Sequence, residues 1–134
     1  MRAAAYAFVL CLFAALPAAA GELAAPEALT RAQAGQMTII DVRTPDEWRQ
    51  TGIAPGAKTA NLNNPDGADA FVAEVLKAAG GNKAAPLGLI CRSGNRSAKA
   101  VALLESRGFT NLSNIGEGMS GWLRRDLPST PWMP

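Results

Sequence analysis

Apolar and polar positions along the chain fall into two alternating kinds of segment. Short apolar runs, Met37-Thr38-Ile39-Ile40 leading into Asp41, Lys58 to Leu62, and Pro86-Leu87-Gly88-Leu89-Ile90 leading into Cys91, have the length and composition of buried strands. Between them the period changes. Phe71, Val72, Val75, Leu76 and Ala79 recur at helical intervals, as do Ala98, Val101, Ala102 and Leu104, and the two helices they predict end at Gly80-Gly81 and at Gly108. A shorter helix is predicted from near Pro26 to Gly35. Another starts at Pro45, where Thr44 can cap and Asp46-Glu47 suit a helix N-terminus. Asn111 to Ile115 reads as a last strand, followed by a glycine-rich turn, Gly116-Glu117-Gly118. Strands alternating with helices imply an α/β fold: a small parallel β-sheet flanked by helices on both faces. No internal repeat is visible, and the final P-S-T-P-W-M-P reads as a tail lying along the surface.

The N-terminus breaks this pattern. Met1-Arg2 carries one positive charge, residues 3 to 16 form an uncharged apolar run, and Pro17-Ala18-Ala19-Ala20 ends in an A-x-A pattern before Gly21. That layout predicts a signal peptide over residues 1–20, cleaved after Ala20, and a single domain over 21–134. The competing reading is a membrane anchor, but the apolar run is shorter than the roughly 20 residues of a spanning helix and no basic stop-transfer cluster follows. Cleavage leaves no membrane span, and export to the bacterial periplasm is the expected destination. Cys11 lies inside the apolar run and is discarded with it.

Composition narrows the chemistry. The chain has 134 residues, 13 Lys+Arg against 11 Asp+Glu, two Cys and no His. Such a length suits one small domain. Removing Arg2 with the leader leaves 12 basic against 11 acidic side chains, too even a balance for a nucleic-acid binder. Without histidine, Ser-His-Asp and Cys-His catalysis and histidine-ligated zinc or haem are all excluded. Two cysteines rule out a four-thiolate metal centre, so neither a metal nor a cofactor is expected.

The mature chain keeps one cysteine, Cys91. A lone thiol in an exported protein reads, without context, as a buried core residue or half of an intermolecular disulfide. Its neighbours change that reading. Cys91 ends a buried strand and leads through Arg92-Ser93-Gly94-Asn95-Arg96-Ser97 into an amphipathic helix, at the sheet edge where open parallel sheets hold ligands. A loop bending at Gly94 can aim successive N–H groups at the sulfur, with the helix N-terminus behind them. The guanidinium groups of Arg92 and Arg96 would add to this if they point inward. Each effect favours thiolate over thiol, the role a histidine base plays elsewhere.

Several separate motifs now fall into one order and spacing. They are C-R-S-G-N-R-S at 91 to 97, D-V-R-T-P-D-E-W at 41 to 48, I-A-P-G-A at 53 to 57, and G-E-G-M-S-G-W at 116 to 122 followed by Leu127-Pro128. With them the chain resembles a single-domain rhodanese, over a core from about 26 to 128. The resemblance implies a sulfurtransferase: Cys91 takes a sulfane sulfur from an anionic donor such as thiosulfate, and the persulfide passes it to a thiol or cyanide acceptor. It also implies that residues 92 to 97 form the substrate loop, that Asp41 and Arg43 brace that loop, and that Trp122 packs near the site or in the plain core. One departure stands out. Many members read G-H-I-P-G-A where this chain has Thr51-Gly52-Ile53-Ala54-Pro55-Gly56-Ala57, losing the histidine and gaining an alanine. Two other readings of Cys91 remain. One is a non-enzymatic persulfide carrier or binding module for an exported partner. The other is a cysteine-dependent phosphatase or arsenate reductase, whose loop is C-x5-R, whereas here the arginine falls one place earlier, at Arg96.

Overall fold

The computed structural model describes residues 20–134, so the predicted leader up to residue 19, with Cys11, lies outside the described residues. Five strands, β1 (Gly21–Glu22), β2 (Thr38–Asp41), β3 (Lys58–Thr59), β4 (Leu87–Ile90) and β5 (Leu112–Asn114), form one sheet in the order β1-β5-β4-β2-β3. Every pairing is parallel. Five helices accompany them: α1 (Ala25–Gln33), α2 (Pro45–Thr51), α3 (Ala68–Ala78), α4 (Asn95–Ser106) and α5 (Gly118–Arg124).

The strand sequences explain the layering. Successive side chains in a strand point to opposite faces, and β2 and β4 pair Ile40 with Leu89 and Asp41 with Ile90. Ile40 and Leu89 therefore share one face, where they meet Phe71 and Val75 of α3 and Val101 and Leu104 of α4. Ile39 and Ile90 face the other way, against Ala28 of α1 and Met119 and Trp122 of α5. All four residues of β4 are buried, which makes it the centre of the sheet and fixes the place where its chain emerges at Cys91. The large apolar side chains among these each contribute about 1.5–3 kcal/mol by burial, so the platform under Cys91 is held from both faces.

Local signals set the ends of the elements. Thr44 and Glu47 form a reciprocal capping box at the start of α2, with Pro45 at the first helical position. The expected strand from Lys58 to Leu62 shrinks to two residues. Ala60 and Leu62 still donate to the carbonyls of Asp41 and Val42, but outside a regular ladder. Two elements go beyond the sequence reading. β1 is too short to show a period, and α5 follows the turn expected at Gly116–Gly118 with glycines at 118 and 121 that depress helix propensity.

Candidate functional site

At the C-terminal end of β4 the chain turns through Arg92 and Ser93 to Gly94, whose φ of +96° lies in the left-handed region. Only glycine fits here, because a Cβ would run into the Gly116 carbonyl oxygen. The turn delivers the Gly94 N–H to Cys91 Sγ at 3.0 Å. Ser97 Oγ, in the first turn of α4, lies 3.3 Å from Sγ and 3.2 Å from the Gly94 carbonyl oxygen. The hydroxyl has one proton for these two acceptors, and a thiolate is the stronger one. Cys91 itself is only 1% exposed. Burial pushes its thiol up, but hydrogen bonds from the Ser97 hydroxyl and from the backbone N–H groups of Ser97, Ser93 and Gly94 outweigh burial and leave the pKa below the ordinary thiol value.

The loop is held from behind. The Gly94 carbonyl accepts from Ala98 N at 3.1 Å and from Asn114 Nδ2 at 3.3 Å, which anchors the peptide just after the one that aims its N–H at the sulfur. The first turn of α5 donates Met119 N to the Cys91 carbonyl at 2.8 Å and Ser120 N to the Arg92 carbonyl at 3.0 Å. A Cβ on Gly118 would strike the Arg92 carbonyl. The G-E-G-M-S-G-W motif, a tight turn running into α5, is therefore packed backbone to backbone against the loop.

The two loop arginines take different directions. Arg96 turns to α2, where Nη1 and Nη2 meet Glu47 Oε1 and Oε2 at 2.6 and 2.8 Å. The Arg96 hydrogen bonds hold the Glu47 carboxyl at a pKa of about 2. Arg96 is raised in turn, by Glu47 first and less by the charges of Cys91 and Asp41. The Arg92 side chain is exposed and makes no hydrogen bond among the described residues. It lines a cleft of about 300 Å³, walled on one side by Arg43 and by Glu47, Gln50 and Thr51 of α2. Met119, Ser120 and Leu123 of α5 form the other wall. Ser93 and Asn95 are exposed at the rim of the loop.

Asp41 and Arg43 form a buried ion pair, with Nη2 2.8 Å from Oδ2. Asp41 Oδ1 also accepts from Trp48 Nε1 at 3.0 Å, and Arg43 donates to Thr51 Oγ1 and to the Gly52 carbonyl, each at 2.9 Å. This corrects the expected role of the pair. It braces α2 and the glycine that ends it, and neither side chain bonds to the 91–97 loop. The loop reaches α2 through Glu47 instead, a residue that sequence reasoning recognised only as a helix-start acid. Trp122 belongs to the core on the α1 and α5 face, its Nε1 donating to the Pro128 carbonyl at 2.9 Å. Asn114 and the amides of Met119 and Ser120 also went unpredicted, since their roles depend on which strand lies beside β4. Ala54, added where the family histidine motif is altered, is fully buried.

Comparisons with known proteins agree with this geometry. The family model described as rhodanese-like domain matches residues 24–125. The chain is 34% identical over 109 residues to thiosulfate sulfurtransferase 18 of Arabidopsis thaliana, a match spanning 76% of this chain and 77% of the relative. The solution structure of the polysulfide-sulfur transferase homodimer from Wolinella succinogenes superimposes with a TM-score of 0.64 at 29% identity, covering 83% of this chain and 78% of that one. A thiosulfate sulfurtransferase from Pseudomonas aeruginosa superimposes with a TM-score of 0.68 over 83% of this chain and 20% of that one. At 22% identity that last likeness concerns the fold.

Proposed function

The chain belongs to the rhodanese-like domain family, and on that premise we propose that it moves a sulfane sulfur from thiosulfate, or from a persulfide, to a nucleophilic acceptor by way of a Cys91 persulfide. In the first step the Cys91 thiolate attacks the outer sulfur of thiosulfate. A new S–S bond forms, the old one breaks, and sulfite departs with the electron pair. In the second step cyanide or a thiolate attacks the outer sulfur of the persulfide, and the bonding pair returns to Cys91 Sγ. Two covalent half-reactions of this kind give ping-pong kinetics.

The observation that carries the reading is the Gly94 N–H on Sγ at 3.0 Å, with the Ser97 hydroxyl beside it. These donors stabilise a thiolate without an imidazole, the charge that returns to Sγ when the acceptor takes the outer sulfur. Arg92, exposed and unpaired among the described residues, suits the incoming dianion and the leaving sulfite. Arg96, committed to Glu47, fixes the loop instead. The layout of residues 1–20 supports work outside the cytoplasm after cleavage behind Ala20.

Treating the purified mature protein with thiosulfate and weighing it intact tests the first step. One added sulfur atom, thiocyanate formation with cyanide, and loss of both in Cys91→Ser are expected. A wild-type protein that gains no mass and forms no thiocyanate would overturn the proposal.

A further inference from the structure

The two walls of the cleft are tied together by the C-terminal tail. Beyond α5 the chain reverses at Asp126, whose φ of +55° is the one positive value among non-glycine residues described. Leu127 N then donates to the Trp122 carbonyl and Trp122 Nε1 to the Pro128 carbonyl, which pins the start of the tail to α5. Farther on the tail grips α2. Thr130 and Ile53 exchange two backbone hydrogen bonds, N to O at 2.8 Å and 2.9 Å, forming an antiparallel bridge. A Cβ on Gly52 would meet the Thr130 carbonyl oxygen at 2.5 Å, so glycine allows this approach. Trp132 then packs on Trp48 with ring centroids 5.1 Å apart, and the Arg49 guanidinium lies 5.3 Å from the Trp132 ring.

We infer that the segment from Leu127 to Trp132 is a strap that sets the width of the cleft, and that Trp132 is a positioning residue for thiol acceptors; this rests on the sulfurtransferase reading above. The chain of contacts is short. Trp132 holds Trp48, and Trp48 sits in α2 between Glu47, which grips the loop through Arg96, and the wall residues Gln50 and Thr51. An aromatic pair and a cation over a ring each contribute modestly but directionally, and here both bear on one seven-residue helix. Thiosulfate and cyanide are compact and need little of the cleft beyond the Arg92 side chain. A tripeptide-sized thiol is large enough to touch both walls, and so depends on where α2 stands.

The test compares wild type, Trp132→Ala and Trp132→Phe with three readouts: sulfur uptake by intact mass, steady-state kinetics with cyanide and with glutathione, and hydrogen exchange at the α2 amides. Trp132→Ala is expected to load sulfur normally and keep its cyanide kinetics. Its KM for glutathione should rise roughly three- to tenfold, the ratio that loss of one aromatic contact gives. Amide exchange at Gly52 and Ile53 should accelerate, and Trp132→Phe should restore most of both. An unchanged glutathione KM, or equal rises with cyanide and glutathione, overturns the inference. If wild type takes up no sulfur, the sulfurtransferase reading itself fails; unchanged exchange in Trp132→Ala would then separately overturn the strap.

Discussion

Replacing Glu47 by Gln removes one charge and little else. Glutamine has the same reach and volume, and it serves equally well at the third position of a capping box, so the Thr44 cap on α2 survives. What disappears is the ion pair with Arg96. Lowering the Glu47 pKa from 4.5 to about 2 corresponds to about 3 kcal/mol of preference for the charged, folded form if fully realised. The side chains of Arg96 and Glu47 are 30% and 23% exposed, and solvent screening reduces the figure to about 1–2 kcal/mol. The sign follows from the direction of the shift. A carboxyl whose folded pKa is depressed stabilises the fold above its unfolded pKa and loses that contribution as pH falls through the folded value. Urea unfolding at pH 7 should therefore show Glu47→Gln less stable by about 1–2 kcal/mol. The deficit should shrink as pH drops from 4.5 toward about 2, where wild type loses the same charge. A deficit that stays constant over this window would trace the effect to packing or capping, and no deficit at pH 7 would make the bridge an ordinary surface pair.

Two further substitutions probe the sulfur and the donor. Ser97→Ala removes the hydroxyl 3.3 Å from Sγ, so the Cys91 pKa should rise and the pH at which sulfur loading falls off should rise with it. Thiolate absorbance titration checks this, and an unmoved titration would leave the loop amides as the sole donors. Arg92→Ala should raise the thiosulfate KM severalfold while thermal unfolding stays unchanged, because the side chain is exposed and without a partner among the described residues. An unchanged KM would take Arg92 out of the donor site.

The parts of the site that were legible in the sequence are the contiguous ones. Cys91, Gly94 and Ser97 lie within seven residues, at the junction of an apolar run and a helical period, so their convergence on one sulfur follows from local geometry. From the sequence the loop amides are expected to hold the thiolate, with the arginines adding to them only if they point inward. The hydrogen bonds to the sulfur do come from amides and the Ser97 hydroxyl; Arg96 is drawn to Glu47 and acts on the sulfur only through its charge, and Arg92 faces the cleft. No local signal could reveal that pairing, because it joins residues 49 positions apart and depends on β2 lying directly beside β4. The same applies to the Gly116–Gly118 turn. Its glycines read as a loop, whereas Gly118 is held to glycine by the close approach of the Arg92 backbone and Gly116 is crowded by the Glu22 carboxylate.

The direction of Arg96 also bears on the phosphatase alternative. A loop built for a tetrahedral oxyanion needs its arginine folded over the ligand, opposite the cysteine, so that two N–H groups reach two oxygens at once. Here both Nη atoms of Arg96 are spent on Glu47, and the sixth position after Cys91 holds Ser97, whose hydroxyl points to Sγ. Turning Arg96 inward would break the pair, at a cost of about 1–2 kcal/mol with a carboxylate left facing the cleft. The loop as it stands gathers donors around a single atom. That arrangement suits one sulfur carried on Cys91, and it leaves the cation for anions outside the loop to Arg92.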